Sequence, residues 1–376
     1  MNDPEIQDKL HRLGQFLERH RLDAVLLNQR ANFAWITGGR SNYIPNNSPF
    51  GVASILATGH SRVCFTNSIE RARFGDEELA GTGIDVVDYL WHDRQAGQKA
   101  LAELIGGRRV AADTGGIDRL DLAAAGIVPL PAEFDRLRWQ LTEAEMDRYR
   151  EGGRRTAAAI EAACRRIRPG DSEHAAAGAL DDEVRRCGLI PVVTLVAADA
   201  RLADFRHPIP TDQPIGRQVM LVTCASWGGL ISNVTRMVHF GSVPADLARK
   251  YQAVVNVDAA TNISTTPGRT LSQMFSILAT AYADNGFPGQ CDHHHQGGST
   301  GYAGRDQFAT PDSDVVVLDR QAFAWNPSVP GAKSEDTALC RAGRAIEILT
   351  AASADWPAIT ARFREQTIQR AGILVR

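Results

Sequence analysis

A chain of 376 residues, 44% hydrophobic and 23% charged, is ordinary globular material and long enough for two domains. A net charge of −3 with no Lys/Arg block gives no electrostatic basis for nucleic-acid binding, and no apolar run approaches the ~18 residues of a membrane span. Cys64, Cys164, Cys187, Cys224, Cys291 and Cys340 form no Cys-x-x-Cys pair, and the start Met1-Asn2-Asp3-Pro4-Glu5 is acidic rather than signal-like. Reduced thiols in a soluble, cytoplasmic protein are therefore expected.

In chain order, Ile6, Leu10, Leu13 and Leu17 recur at helical spacing, and Ala24-Val25-Leu26-Leu27 reads as a short buried strand. Residues 53–58 and 62–66 flank Gly59-His60-Ser61 as a hairpin would. A helix near 69–78, a strand at 85–91, a helix at 94–105 and a strand at 109–113 follow. This alternation predicts an α/β domain over residues 1–135.

Thr142-Glu143-Ala144-Glu145 has the form of a capping box, and the long helix it starts should reach about residue 168. Pro169-Gly170 breaks that helix, Asp171-Ser172 can cap another that stops near Gly188, and strands are expected at 191–197 and 218–241. The order then recurs. A helix from Pro244 is broken at Pro267-Gly268, restarted by Arg269-Thr270 and closed near Asn285-Gly286. Two helix–break–helix–strand units imply a degenerate repeat of roughly a hundred residues. A second domain, residues 142–376, should carry helices outside a curved antiparallel sheet, with a site between its halves.

Three stretches have little to bury and much to present. Cys291 to Asp306 holds His293, His294, His295 and four glycines; the other two are Arg206-His207-Pro208 and Trp325 to Thr337. Imidazoles accept protons or bind metal near neutral pH, and glycines allow close backbone approach to a ligand. Pro208 biases His207 to extended backbone at a loop edge, where it serves as a general base or as a strand cap. Glu335 sits on an apolar flank, so its carboxylate is either functional or paired with Lys333 or Arg236. His294 and His295 are adjacent, and on extended backbone only one would enter a site, His294 being preferred. Arg305 offers a planar fork for a substrate carboxylate, or a salt bridge to Asp306 or another acid. Trp325 alternates with Phe323 on a strand and is either core or, with Asn326, a pocket floor.

In this order, His207, Asn233-Val234-Thr235-Arg236, the His-Gly stretch and Ser334-Glu335-Asp336-Thr337 resemble the creatinase/aminopeptidase P/prolidase superfamily across nearly the whole chain. The resemblance implies an α/β fold with a creatinase-like N-terminal domain and a C-terminal pita-bread domain. Metal-dependent members hold two divalent ions with two Asp eleven residues apart, a His and two Glu. Here the carboxylate slots carry Val222, Asn233 and Asn326, with Glu335 the one carboxylate in place. One carboxylate cannot offset two close divalent ions, so no metal and no other cofactor is expected.

The resemblance to creatinase, which breaks a C–N bond without metal, implies a hydrolase of a small carboxylate-bearing substrate. His207 would be the acid/base, Glu335 with His294 or His295 would orient substrate or water, and Arg305 would grip the carboxylate. Asn233, Thr235, Asn326 and Trp325 would line the pocket, although Thr235 stands where creatinase has a Glu. Arg40, in Thr37-Gly38-Gly39-Arg40-Ser41-Asn42-Tyr43, would reach the partner's pocket in a homodimer. The alternatives are a metal-dependent Xaa-Pro peptidase and a non-catalytic binding member. Neither nucleic acid nor membrane is an expected partner.

Overall fold

The helix read from Ile6 to Leu17 runs Pro4–His20 (α1) in the computed structural model, which describes residues 3–114 and 116–376. Of the acidic N-terminus, Met1 and Asn2 lie outside the described residues. Asp3 caps α1 by accepting from the Glu5 N–H at 2.9 Å, and the buried face is Ile6, Leu10, Leu13 and Leu17. Two compact units emerge. One runs to Arg138 and includes Thr142–Glu145; the other comprises Trp139–Leu141 and Met146–Arg376.

In the first unit Ala24–Gln29 (β1) lies inside a six-stranded mixed sheet. Its other strands are Phe50–Ala57 (β2), Arg62–Asn67 (β3), Asp85–Tyr89 (β4), Val110–Ala112 (β5) and Val128–Pro129 (β6), in the order β4-β3-β2-β1-β5-β6. The expected hairpin is β2–β3, closing with Ala57 opposite Arg62, and the expected helix is Arg94–Ile105, capped by Asp93. Two segments differ from expectation. Residues 69–78 make one α turn at Arg71–Arg73 that continues as a π-helical turn, Phe74–Glu78. Arg30–Thr37 is a helix that the sequence did not announce, because Gln29 at its start supplies no capping side chain. Burial of Phe33, Trp35 and Ile36 holds that helix instead.

The second unit contains the repeat. The capping box forms, with the Thr142 N–H donating to Glu145 Oε2 (2.7 Å) and the Glu145 N–H to Thr142 Oγ1 (3.2 Å). Helices Glu143–Arg166 and Glu173–Arg186 precede Ile190–Ala198 (β7), Gln218–Trp227 (β8) and Leu230–His239 (β9). Helices Ala245–Ser264 and Leu271–Asp284 precede Gly297–Thr300 (β10), Gln307–Phe308 (β11), Gln321–Trp325 (β12), Asp336–Cys340 (β13) and Glu347–Ile348 (β14). β7, β8 and β9 form one antiparallel sheet, edged by Leu374–Val375; β11-β10-β12-β13-β14 form the other.

Equivalence of the two halves extends to single hydrogen bonds. Gly170 (φ +93°) donates to Ile215 O at 2.8 Å, and Gly268 (φ +91°) donates to Val317 O at 2.9 Å. The return bonds, Ile215 N to Asp171 O and Val317 N to Arg269 O, are both 2.8 Å. Each Pro-Gly break thus pairs with the segment that leads into its sheet, and glycine supplies the positive φ. The sheets meet at β9 and β13, where the Asn233 N–H donates to Thr337 Oγ1 (2.7 Å) and the Thr235 N–H to Glu335 O (3.0 Å). Among the described residues no helix is long and apolar enough to cross a membrane.

Ser172 and Thr270 cap equivalent helices, accepting from Ala175 N and Gln273 N, and Thr270 also completes a capping box with Gln273. Ser172→Ala and Thr270→Ala should each cost about 1 kcal/mol, read as a lower urea midpoint, with Thr270→Ala the more damaging.

Candidate functional site

The loop after the turn Arg201–Asp204 carries His207, and Arg206 anchors it through Nη2 to Gln290 Oε1 (2.8 Å) and Nη1 to Ser328 Oγ (3.4 Å). Gln290 begins the 3₁₀ turn Gln290–Asp292, which delivers His294 and His295 just ahead of β10. His207 Nε2 lies 3.0 Å from His294 Nε2, with ring centroids 4.8 Å apart. His295 stacks on His294 at 4.4 Å and lies 5.4 Å from His207. Both adjacent histidines therefore enter the cluster, contrary to the expectation that only one would. Residue 293 has helical dihedrals and strand geometry begins only at Gly297, so two-residue alternation does not apply to this pair.

Behind the rings, Gln296 donates to His294 O and accepts from the Tyr282 hydroxyl at 2.7 Å; that hydroxyl accepts from the Ser328 N–H at 2.7 Å. The glycines that follow serve the sheet rather than a ligand. A Cβ on Gly297 (φ +100°) would stand 2.1 Å from Ala324 O, and one on Gly298 would stand 1.9 Å from Gln307 O.

Glu335 is 3% exposed. Its carboxylate takes Lys333 Nζ at 2.9 Å and the Thr235 hydroxyl at 2.8 Å, with Arg305 Nη2 at 3.6 Å. Lys333, which sequence reasoning treated only as a structural partner of Glu335, also acts electrostatically on all three imidazoles. The available signal was a Lys two residues from a Glu on an apolar flank. Arg236, the other candidate partner of Glu335, pairs with Asp336 at 3.0 Å. Arg305 has a nearly buried side chain whose Nη1 lacks a hydrogen-bond partner among the described residues.

The remaining expected residues divide. Asn233 is buried, accepting from Cys224 Sγ (2.9 Å) and donating to Thr300 Oγ1 (3.2 Å). Thr235 is committed to Glu335. Asn326 is buried with an unpartnered Oδ1. Trp325 belongs to the core and not to a pocket floor: it is fully buried, stacks on Phe323 at 5.6 Å, and its indole N–H donates to Thr265 Oγ1 at 2.9 Å. Arg40 is exposed on a loop of the other unit.

Val222, Asn233 and Asn326, the residues that the resemblance sets against the superfamily's anionic ligands, carry no carboxylate, and the nearby Glu335 carboxylate is paired with Lys333. These residues do not fit a pair of divalent ions. One ring nitrogen from each of His207, His294 and His295 does lie within 4.8 Å of the others. Burial, then Lys333, depresses His294 to about 2; burial, then Arg305, depresses His295 to about 4. His207 is exposed, and partial desolvation on its inner side lowers it, reinforced by Lys333 and opposed by Glu335. The cluster is thus held toward its neutral form, beside two cations and one carboxylate.

The model of Metallopeptidase family M24 matches residues 147–343, just over half of the chain. The chain belongs to family M24. Solved structures place the M24 fold in context. The prolidase of Pyrococcus horikoshii OT3 is 20% identical, with a TM-score of 0.76 over 93% of this chain and 99% of that one. The Xaa-Pro dipeptidase of Bacillus anthracis is 17% identical, with a TM-score of 0.75 over 99% and 100%. The N-terminal domain of FACT complex subunit SPT16 from Cicer arietinum (chickpea) is 12% identical, with a TM-score of 0.67 over 93% and 97%. At these identities the likeness is one of fold. No curated protein matches this M24 chain.

Because the unfolded chain gains a proton on His294 below about pH 6.5 and the folded one does not until about 2, this ring makes stability fall as pH falls through 6.5. In chelator-containing buffer, the excess loss of wild type over His294→Gln should steepen below that point and approach about 1.4 kcal/mol per pH unit from roughly pH 5.5 downward, measured by urea unfolding.

Proposed function

We propose that this M24 protein is a metal-independent, creatinase-like hydrolase that cleaves a C–N bond, amide or amidine in type, of a small carboxylate-bearing substrate. The observation that carries the reading is the open Nη1 of Arg305 beside three depressed imidazoles. An unpartnered buried guanidinium nitrogen suits an anionic ligand. A neutral imidazole suits proton transfer. Water passes a proton to His207 as its oxygen adds to the substrate carbon, and His207 returns that proton to the nitrogen as the C–N bond breaks. His294, 3.0 Å away, fixes the ring of His207, and His295 braces His294. Glu335 holds Lys333 and Arg305 in place; with Lys333 already on its carboxylate, it is poorly available to a substrate guanidinium. The functional unit is a homodimer in which Arg40 serves the partner's pocket, and six free cysteines support a cytoplasmic setting.

Closure of Glu335 by Lys333 favours a second reading, a ligand-binding member without chemistry. Turnover of small amino-acid amides and guanidino acids separates the two. The hydrolase should show activity that His207→Ala lowers roughly 10²–10⁴-fold with the circular dichroism unchanged. Arg305→Met should raise KM for carboxylate-bearing substrates and leave KM for their amidated forms alone. Chelator should not reduce turnover; loss on chelation with recovery on adding manganese would point to a metal-dependent Xaa-Pro peptidase. Small acids that bind through Arg305 without turnover would establish the binding reading, and a monomer mass by light scattering would remove Arg40 from the site.

A further inference from the structure

We infer that His207, His294 and His295 together form a tridentate site for one late first-row transition ion, distinct in ligands from the paired-ion centre of the family. The inference concerns regulation of the site just described, and its inhibitory consequence rests on that reading.

Three features point to an ion. The rings come from two separate loops yet bring one nitrogen each within 4.8 Å of one another, and the His207–His294 nitrogens are already 3.0 Å apart. Bonds of about 2.0–2.1 Å to a tetrahedral ion need nitrogens only slightly more than 3 Å apart, so small ring rotations complete the set. His294 Nδ1 and His295 Nδ1 are buried with no hydrogen-bond partner among the described residues, which leaves ring nitrogens whose bonding capacity is unused. Neutral imidazole is the ligand type that zinc, copper, nickel and cobalt favour over magnesium or calcium.

The surroundings set the character of the site. Lys333 and Arg305 oppose a cation and Glu335 offsets one of them, so the fourth position favours an anion such as hydroxide or a carboxylate. An ion there takes the His207 lone pair that accepts the proton in hydrolysis. Bound metal therefore inhibits.

Titration of the chelated, dialysed protein with Zn²⁺ in a calorimeter should give one ion per chain, and Co²⁺ should develop the visible bands of a four-coordinate centre. His207→Ala and His294→Ala should each weaken Zn²⁺ binding by more than the 10–100-fold that loss of an outer-shell partner costs. Zinc-edge absorption on wild type should count three imidazoles, independently of how the variants fold. No binding, or an ion whose shell lacks the imidazoles, overturns the site. Zn²⁺ that binds at the imidazoles and abolishes turnover, with recovery on chelation, supports both readings. Zn²⁺ that binds there and activates leaves the site standing and overturns metal-independent hydrolysis instead.

Discussion

A carboxylate that is 3% exposed must be paired, and around Glu335 that requirement organises the candidate site. Its lone pairs are shared by the Lys333 ammonium, the Thr235 hydroxyl and, at longer range, Arg305. Each partner comes from a different segment: β9 gives Thr235, the turn after β10 gives Arg305, and the Ala332–Lys333 strand gives Lys333. The carboxylate thereby fixes where two cations stand relative to the imidazoles.

The neighbouring residue extends the constraint into the scaffold. Asp336 accepts from Arg236 at 3.0 Å and from the Thr350 hydroxyl at 2.7 Å and forms an ion pair with Arg370 at 2.8 Å, and Arg370 reaches onward to Asp258. All four charged side chains are buried, so removing any one strands the others, at a cost of about 3–5 kcal/mol. Asn233-Val234-Thr235-Arg236 and Ser334-Glu335-Asp336-Thr337 are therefore two sides of one seam. Alternate residues of the seam serve different ends: Thr235 and Glu335 face the site, while Arg236 and Asp336 lock the sheets behind it.

The histidine cluster depends on a different kind of support. Arg206 ties its loop to Gln290 and Ser328, and Tyr282 ties Gln296 to Ser328, so His207 and His294 are brought together by hydrogen bonds to a common hairpin. Loops held this way keep ring nitrogens bare, and bare nitrogens are what proton transfer or metal binding needs.

The sequence by itself determined the local elements and their order. Helical spacing, Asp-Ser and Arg-Thr caps, and Pro-Gly breaks act over a few residues, so the Pro169 and Pro267 breaks, the Thr142–Glu145 capping box and the repeat were legible without coordinates. The chemistry of single residues was legible for the same reason, since Val222 lacks a ligating oxygen in any fold. Only the tertiary structure decided what the charged and aromatic side chains do. Whether Glu335 pairs with Lys333 or Arg236, whether Trp325 lines a pocket or fills the core, and whether one or both of His294 and His295 reach His207 depend on segments up to a hundred residues apart. Those pairings follow from burial, which sets the cost of an unpaired charge and has no short-range signature in the chain.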